Sequence, residues 1–129
     1  MSKDHGKIWW CELMTRDIPG VVGFYESVCG WKIDRMEMPE GEYYVCLIDD
    51  EPVAGIMDTS AMPNLDGAPS VWFTYLAVDD LDEALREVLA AGGVIQRQPF
   101  EIPLIGRIAL VSDPGGAAVG LIAPEQLTE

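Results

Sequence analysis

Residues 53–57 read VAGIM, a run of strand-forming aliphatic side chains interrupted by Gly55. Residues 118–122, AVGLI, have the same form around Gly120. A glycine inside a strand gives up side-chain packing and costs chain entropy. Two strands that carry one at the matching place therefore suggest a single unit written twice.

The remainder of the chain fits that reading. KIWWCELMT is apolar and β-prone, and Asp17 then caps a helix over IPGVVGFYESVC that ends near Gly30. Strands follow at WKIDRMEM, EYYVCLI and PVAGIMD, separated by the turn-forming PEGE and DDE. The stretch TSAMPNLDGAPS lacks periodicity and reads as a linker. A second strand, VWFTYLAV, then leads through an acidic cap at Asp79 or Asp80 into LDEALREVLAAG. Leu81, Leu85, Val88 and Leu89 form the apolar stripe of that helix. GVIQRQ, GRIALVSD and AAVGLIAP complete the copy. Asp17 precedes Asp80 by sixty-three positions, as Leu13 precedes Leu76, and the two glycines are sixty-five apart. The expected architecture is α+β: two tandem βαβββ units at 8–58 and 71–124, joined by a linker at 59–70, in one domain over 1–129. Two such units are expected to form one concave mixed sheet, a surface suited to a small ligand.

Composition narrows the partners. The chain of 129 residues carries 22 Asp and Glu against 8 Lys and Arg, a net charge of −14. That charge repels nucleic acid and anionic lipid, so neither is expected as a partner. No apolar run is long enough to cross a membrane, and MSKDHGK leads into IWWCELM without the features of a signal peptide, so a cytoplasmic location is expected. Cys11, Cys29 and Cys46 are widely spaced in apolar contexts and read as buried small hydrophobes. His5, the only histidine, falls in a polar N-terminal tail expected to be mobile, which disfavours Cys/His catalysis and histidine-rich metal sites.

FYESVCGWKI, YLAVDDLDEA, AAGG and SDPGGAAVGLIAP, set in this repeat, closely resemble the vicinal oxygen chelate superfamily. That superfamily includes glyoxalase I, bleomycin-resistance proteins, fosfomycin-resistance enzymes and extradiol dioxygenases. The resemblance runs from about Ile8 to Pro124. It implies a metal held by a His or Gln from the first strand and a Glu from the fourth strand of each unit, with donors converging within about two ångströms of one centre. In this chain those positions fall on Trp10, Gly55, Phe73 and Gly120, none of which can ligate a metal. No metal or other cofactor is therefore expected. The chain resembles metal-free members of the superfamily, with a cavity floor bare at the glycines and aromatic at Trp10 and Phe73.

Strand alternation puts Glu12 and Met14 on the face of Trp10, and Tyr75 on the face of Phe73. Glu12 and Tyr75 are repeat mates, and as catalytic candidates they would act as general base and general acid. Against this stands a plain account in which Glu12 pairs with an arginine or backbone amide and Tyr75 only packs. Arg107 would either fork onto an anionic ligand group or neutralise Glu12. One of Tyr43 and Tyr44 faces inward, and Tyr43 is carried in the ligand-binding set with Trp10, Glu12, Met14, Gly55, Phe73, Tyr75, Arg107 and Gly120. The segment QPFEIPLIG, Gln98 to Gly106, reads as a loop bringing Phe100 and Ile105 to the cavity mouth. Trp9 and Trp72 are expected to pack under the helices, and Trp31 in the core.

The function expected is binding of a small, mostly apolar molecule with a polar handle in an aromatic, metal-free cavity. Two alternatives remain: a metal-dependent lyase of the lactoylglutathione type or a dioxygenase, and a cofactorless acid/base enzyme using Glu12 and Tyr75. A register error of one or two residues, recruiting Glu12 with Glu101 or Asp58 as oxygen ligands, would favour the metal enzyme. Family resemblance further implies a homodimer.

Overall fold

β-Branched and aromatic runs bounded by Gly, Pro and Asp become eight strands, and the two capped apolar segments become helices. The computed structural model describes residues 3–38, 41–61, 67–102 and 106–124. In chain order the elements are β1 (Ile8–Thr15), α1 (Ile18–Cys29), β2 (Lys32–Met38), β3 (Gly41–Ile48) and β4 (Glu51–Asp58). They are followed by β5 (Val71–Ala77), α2 (Leu81–Ala90), β6 (Val94–Ile102), β7 (Gly106–Ser112) and β8 (Ala118–Pro124). The order βαβββ thus occurs twice. Contacts divide the chain into two compact units: Trp10–Phe73, and the chain before Trp10 together with that from Thr74 on.

In the unit Trp10–Phe73 the strands lie in the order β2-β3-β4-β1, with β1 parallel to β4 and the other pairs antiparallel. β3 and β4 are joined by Asp49 and Asp50, both at positive φ (49° and 67°). That is the geometry of a tight two-residue hairpin, and aspartate tolerates it better than most residues. Asp17 caps α1 by accepting from Gly20 N at 3.1 Å, and Gly30 at φ 70° ends it. Ile18, Val21 and Tyr25 of α1 pack onto Leu13, Cys46, Ala54 and Ile56. Burying Ile56 completely contributes roughly 1.5–3 kcal/mol. Trp31 stacks on Tyr25, with ring centroids 5.3 Å apart, and Trp72 meets both rings edge-on while donating from Nε1 to Tyr25 Oη at 3.2 Å. Trp72 therefore packs against α1, although 41 % of it stays exposed.

The other unit repeats the plan. Its strand order is β5-β8-β7-β6, with β5 parallel to β8. Asp80 caps α2 by accepting from Glu83 N at 3.1 Å, and Leu81 and Leu85 bury against Val78, Ala109, Val111 and Leu121. Leu89 departs from the predicted stripe and stays exposed, while Val88 beside it packs against the core. His5 is not in a loose tail: its Nδ1 accepts from Asp79 N at 3.0 Å, and Gly6 N donates to Ala77 O at 2.7 Å.

The segment expected as a loop is strand up to Ile102. β6 runs through Pro99 because its pairing with β7 shifts register between Arg97 and Phe100, so no ladder hydrogen bond is asked of the proline. Phe100 accordingly sits in a strand under the Arg97 guanidinium, 3.7 Å from its ring centroid. Ile105 and linker residues 62–66 lie outside the described residues.

Candidate functional site

Register, rather than chain proximity, builds the site. Glu12 of β1 lies opposite Gly55 of β4, which lies opposite Val45 of β3. One step along, Met14, Met57, Tyr43 and Met36 form a row across all four strands in the order β1-β4-β3-β2. Because Leu13, Ala54, Ile56 and Cys46 point to α1, the intervening residues point to the opposite face. Trp10, Glu12, Met14, Tyr43, Val45, Gly55 and Met57 therefore share one face of the sheet, which is free of α1.

Tyr43, not Tyr44, is the inward tyrosine. Tyr44 packs toward the helix side and donates its hydroxyl to Glu42, which also accepts from Arg35 at 2.9 Å. The Tyr43 hydroxyl accepts from Trp10 Nε1 at 2.8 Å and occupies the place where a Cβ on Gly55 would stand. The floor at Gly55 is thus not bare, as the sequence suggested. It is filled from the neighbouring strand by a phenol.

Glu12 is a carboxylate with only 5 % of its surface exposed, and Tyr43 has 7 %. Burial pushes the Tyr43 phenol well above its ordinary range, and the charge of Glu12 and a hydrogen bond to it push the same way. Tyr43 therefore stays protonated, accepting from Trp10 and donating to Glu12.

In the other unit Tyr75 lies opposite Gly120, which lies opposite Leu110 and then Arg97. This row is the repeat mate of Glu12, Gly55, Val45 and Asp34, and Tyr75 is buried. Phe73 is buried and, two positions before Tyr75, lies on the same face of β5. Arg107 is not on the face of Tyr75 and Gly120. Its parity is that of Ala109 and Val111, which pack toward α2, and its Nη1 donates to Asp82 of α2 at 3.2 Å. There it borders a groove of about 510 Å³ lined also by Leu85, Arg86, Leu89 and Ile95. Its partner is Asp82, so neither role foreseen for it, forking onto a ligand of the Tyr75 face or neutralising Glu12, is the contact it makes.

The metal implied by the resemblance does not fit these residues. Trp10 offers an N–H donor rather than a lone pair, and Phe73 has no donor atom. A side chain at position 55 would collide with Tyr43. Among the described residues no cluster of three or more His, Cys, Asp or Glu is arranged to hold a metal ion.

Sequence reasoning missed Met57, Val45 and Met36. The signal was present as alternation in β4, β3 and β2, but it needed the cross-strand register to become one surface.

Residues 7–121 match the family model described as Glyoxalase/Bleomycin resistance protein/Dioxygenase superfamily. The chain is 38 % identical over 125 residues to the putative glyoxylase CFP32 of Mycobacterium tuberculosis, covering 96 % of this chain and 46 % of the relative. It is 32 % identical over 120 residues to the anthracycline biosynthesis protein DnrV of Streptomyces peucetius, covering 84 % of this chain and 44 % of that one. It therefore spans about half the length of the curated relatives it matches. Among solved structures, methylmalonyl-CoA epimerase from Mycobacterium tuberculosis aligns with TM-score 0.68 over 98 % of this chain and 93 % of its own, at 14 % identity. The hypothetical protein BH1468 from Bacillus halodurans aligns with TM-score 0.74 over 96 % and 98 %, at 13 % identity. At such identities these structures show a shared fold.

Proposed function

The chain belongs to the glyoxalase/bleomycin resistance protein/dioxygenase superfamily, and on that premise we propose that it binds a small, largely apolar, planar molecule without a metal. The observation that carries this reading is the face on which one buried carboxylate, Glu12, is set among Trp10, Met14, Tyr43 and Met57. Indole, phenol and thioether groups offer flat, polarizable contact at low entropic cost, and a single polar group orients what lies on them. The relative named for anthracycline biosynthesis supports a polycyclic aromatic ligand. The test is a titration of planar aromatic compounds followed by quenching of Trp10 fluorescence, with Trp10→Phe as control. Saturable, stoichiometric quenching without chemical change of the ligand supports binding alone.

A second reading, acid/base catalysis without a cofactor, is favoured by the buried Glu12 and Tyr43. Turnover that is indifferent to chelator and lost in Glu12→Gln would support it over simple binding.

Pairing with a second copy also forms part of the proposal. The relatives are about twice as long, and α1 leaves Phe24 and Val28 exposed at 55 % and 64 % with only Glu26 charged along its length. Light scattering on Phe24→Ser against wild type tests it, a monomer being expected of the variant.

A further inference from the structure

The groove beside α2 has no part in the planar-ligand reading. At about 510 Å³ it falls within the usual range of small-molecule sites, about 300–1,000 Å³. The pairing of β6 with β7 shifts register between Ile95 and Arg97 and again before Phe100, which bends the strand where it borders the groove. The lining sorts by chemistry. Leu85, Leu89, Ile95 and Pro99 give an aliphatic strip, and Leu89 belongs to it although 59 % of that side chain is exposed. Arg86, Arg107 and Asp82 give the charged part.

Of the three cationic side chains between Thr74 and Pro124, Arg86 and Arg107 line this groove, and the third, Arg97, sits over the Phe100 ring. Two guanidinium groups against Asp82 leave the lining one positive charge, on a chain whose net charge is −14. Arg107 donates from Nη1 to Asp82 at 3.2 Å, and Arg86 from Nη2 to Glu83 at 2.6 Å. Those bonds raise both groups further above the ordinary arginine range, so both stay cationic. Both pairs join exposed partners and are weak against water. A guanidinium carries five N–H donors in a planar fork, and one carboxylate does not exhaust it. Asp80 and Glu101 also act on Arg107, so an anion is drawn here by forked hydrogen bonds at contact rather than by a long-range field.

We propose that the groove beside α2 is a second ligand site, for a small amphiphile with an aliphatic body and a carboxylate. The carboxylate forks onto Arg107, and the chain lies along Leu85, Leu89, Ile95 and Pro99, taking the exposed surface of Leu89 out of water. This is independent of the planar-ligand face, whose residues belong to the unit Trp10–Phe73.

Three probes with one chain and different heads test it: octanoate, octanol and octylamine, titrated against the intact chain by calorimetry, with the methyl chemical shifts of Leu85, Leu89 and Ile95 locating the bound molecule. Octanoate is expected to bind at least about fivefold more tightly than octanol, with octylamine no tighter than octanol. Arg107→Gln should remove the preference for octanoate and leave octanol affinity unchanged, whereas Leu89→Ser should weaken both. Arg107 and Leu89 are exposed, so both variants should keep the wild-type melting temperature. Arg107→Lys, which keeps the charge and loses the fork, should restore only part of the preference. The proposal is overturned if octanoate binds no better than octanol or octylamine, if the preference survives in Arg107→Gln, or if none of the three binds. Methyl shifts that follow protein concentration and ignore octanoate would assign the groove to a second copy of the chain and overturn it as well.

Discussion

The hydroxyl of Tyr43 stands where a Cβ on Gly55 would be, and the indole of Trp10 holds it there with a 2.8 Å hydrogen bond. Gly55 is thus the complement of a side chain two strand positions away in register, and the glycine and the tyrosine should be energetically coupled. Gly55→Ala is expected to destabilise the chain by about 1–3 kcal/mol, because Tyr43 must leave its place. In Tyr43→Ala the same glycine substitution should cost far less. Urea unfolding of the two single variants and the double variant checks this, and strict additivity would refute the coupling.

Tyr43 also predicts an alkaline limit. Its phenol is raised in the folded state, first by burial and then by Glu12. Below the ordinary phenol pKa of about 10, both folded and unfolded states keep the proton and the stability is fully present. Above it the unfolded chain releases a proton that the folded chain retains, so stability falls by about 1.4 kcal/mol per pH unit for this group. Tyr44 is raised too, through its bond to Glu42, but it is only partly buried and adds less. Tyr43 should develop tyrosinate absorbance only on unfolding, and Tyr43→Phe should flatten the alkaline loss.

The cysteines should react unequally. Cys46 has no exposed surface, and burial pushes its thiol up to about 11, whereas Cys29 is exposed at the end of α1. In mildly alkaline buffer a thiol reagent should label Cys29 at once and Cys46 only as fast as the chain opens. Mass mapping of the adducts reads this directly. Early modification of Cys46 would mean that β3 opens locally.

The double βαβββ plan was legible because each strand and helix carries its own local signal: Asp17 and Asp80 as caps, Gly30 as a stop, and alternation in β4 and β5. What escaped was what depends on pairing. That Tyr43 fills the space over Gly55 follows from the register of β3 on β4, which no local pattern specifies. Arg107 lies on the α2 side because Gly106–Ser112 pairs with β8 without a shift, and sequence offered no parity for it. The strand through Pro99 looked like a loop because a proline ordinarily breaks a ladder, and only the register shift at Arg97 relieves it.

Arg107→Ala tests whether the groove beside α2 takes part in binding. Its contact with Asp82 is between exposed groups, so its loss should leave the melting temperature nearly unchanged. Binding on the Trp10 and Glu12 face should also be unaffected. A large loss of affinity in Arg107→Ala would instead direct attention to the groove beside α2.

Metal content is the measurement that bears hardest on the proposed function. If Trp10, Gly55, Phe73 and Gly120 mark the ligand positions of metal-bearing relatives, the purified chain should hold no stoichiometric metal after dialysis against zinc, nickel, manganese and iron. Elemental analysis reads this directly. Gly55→Glu alone should not create metal affinity, since Tyr43 occupies the space into which the new carboxylate would project. A wild-type chain that retains about one metal through dialysis would show that other side chains converge on a centre, and would turn the account toward Lewis-acid chemistry.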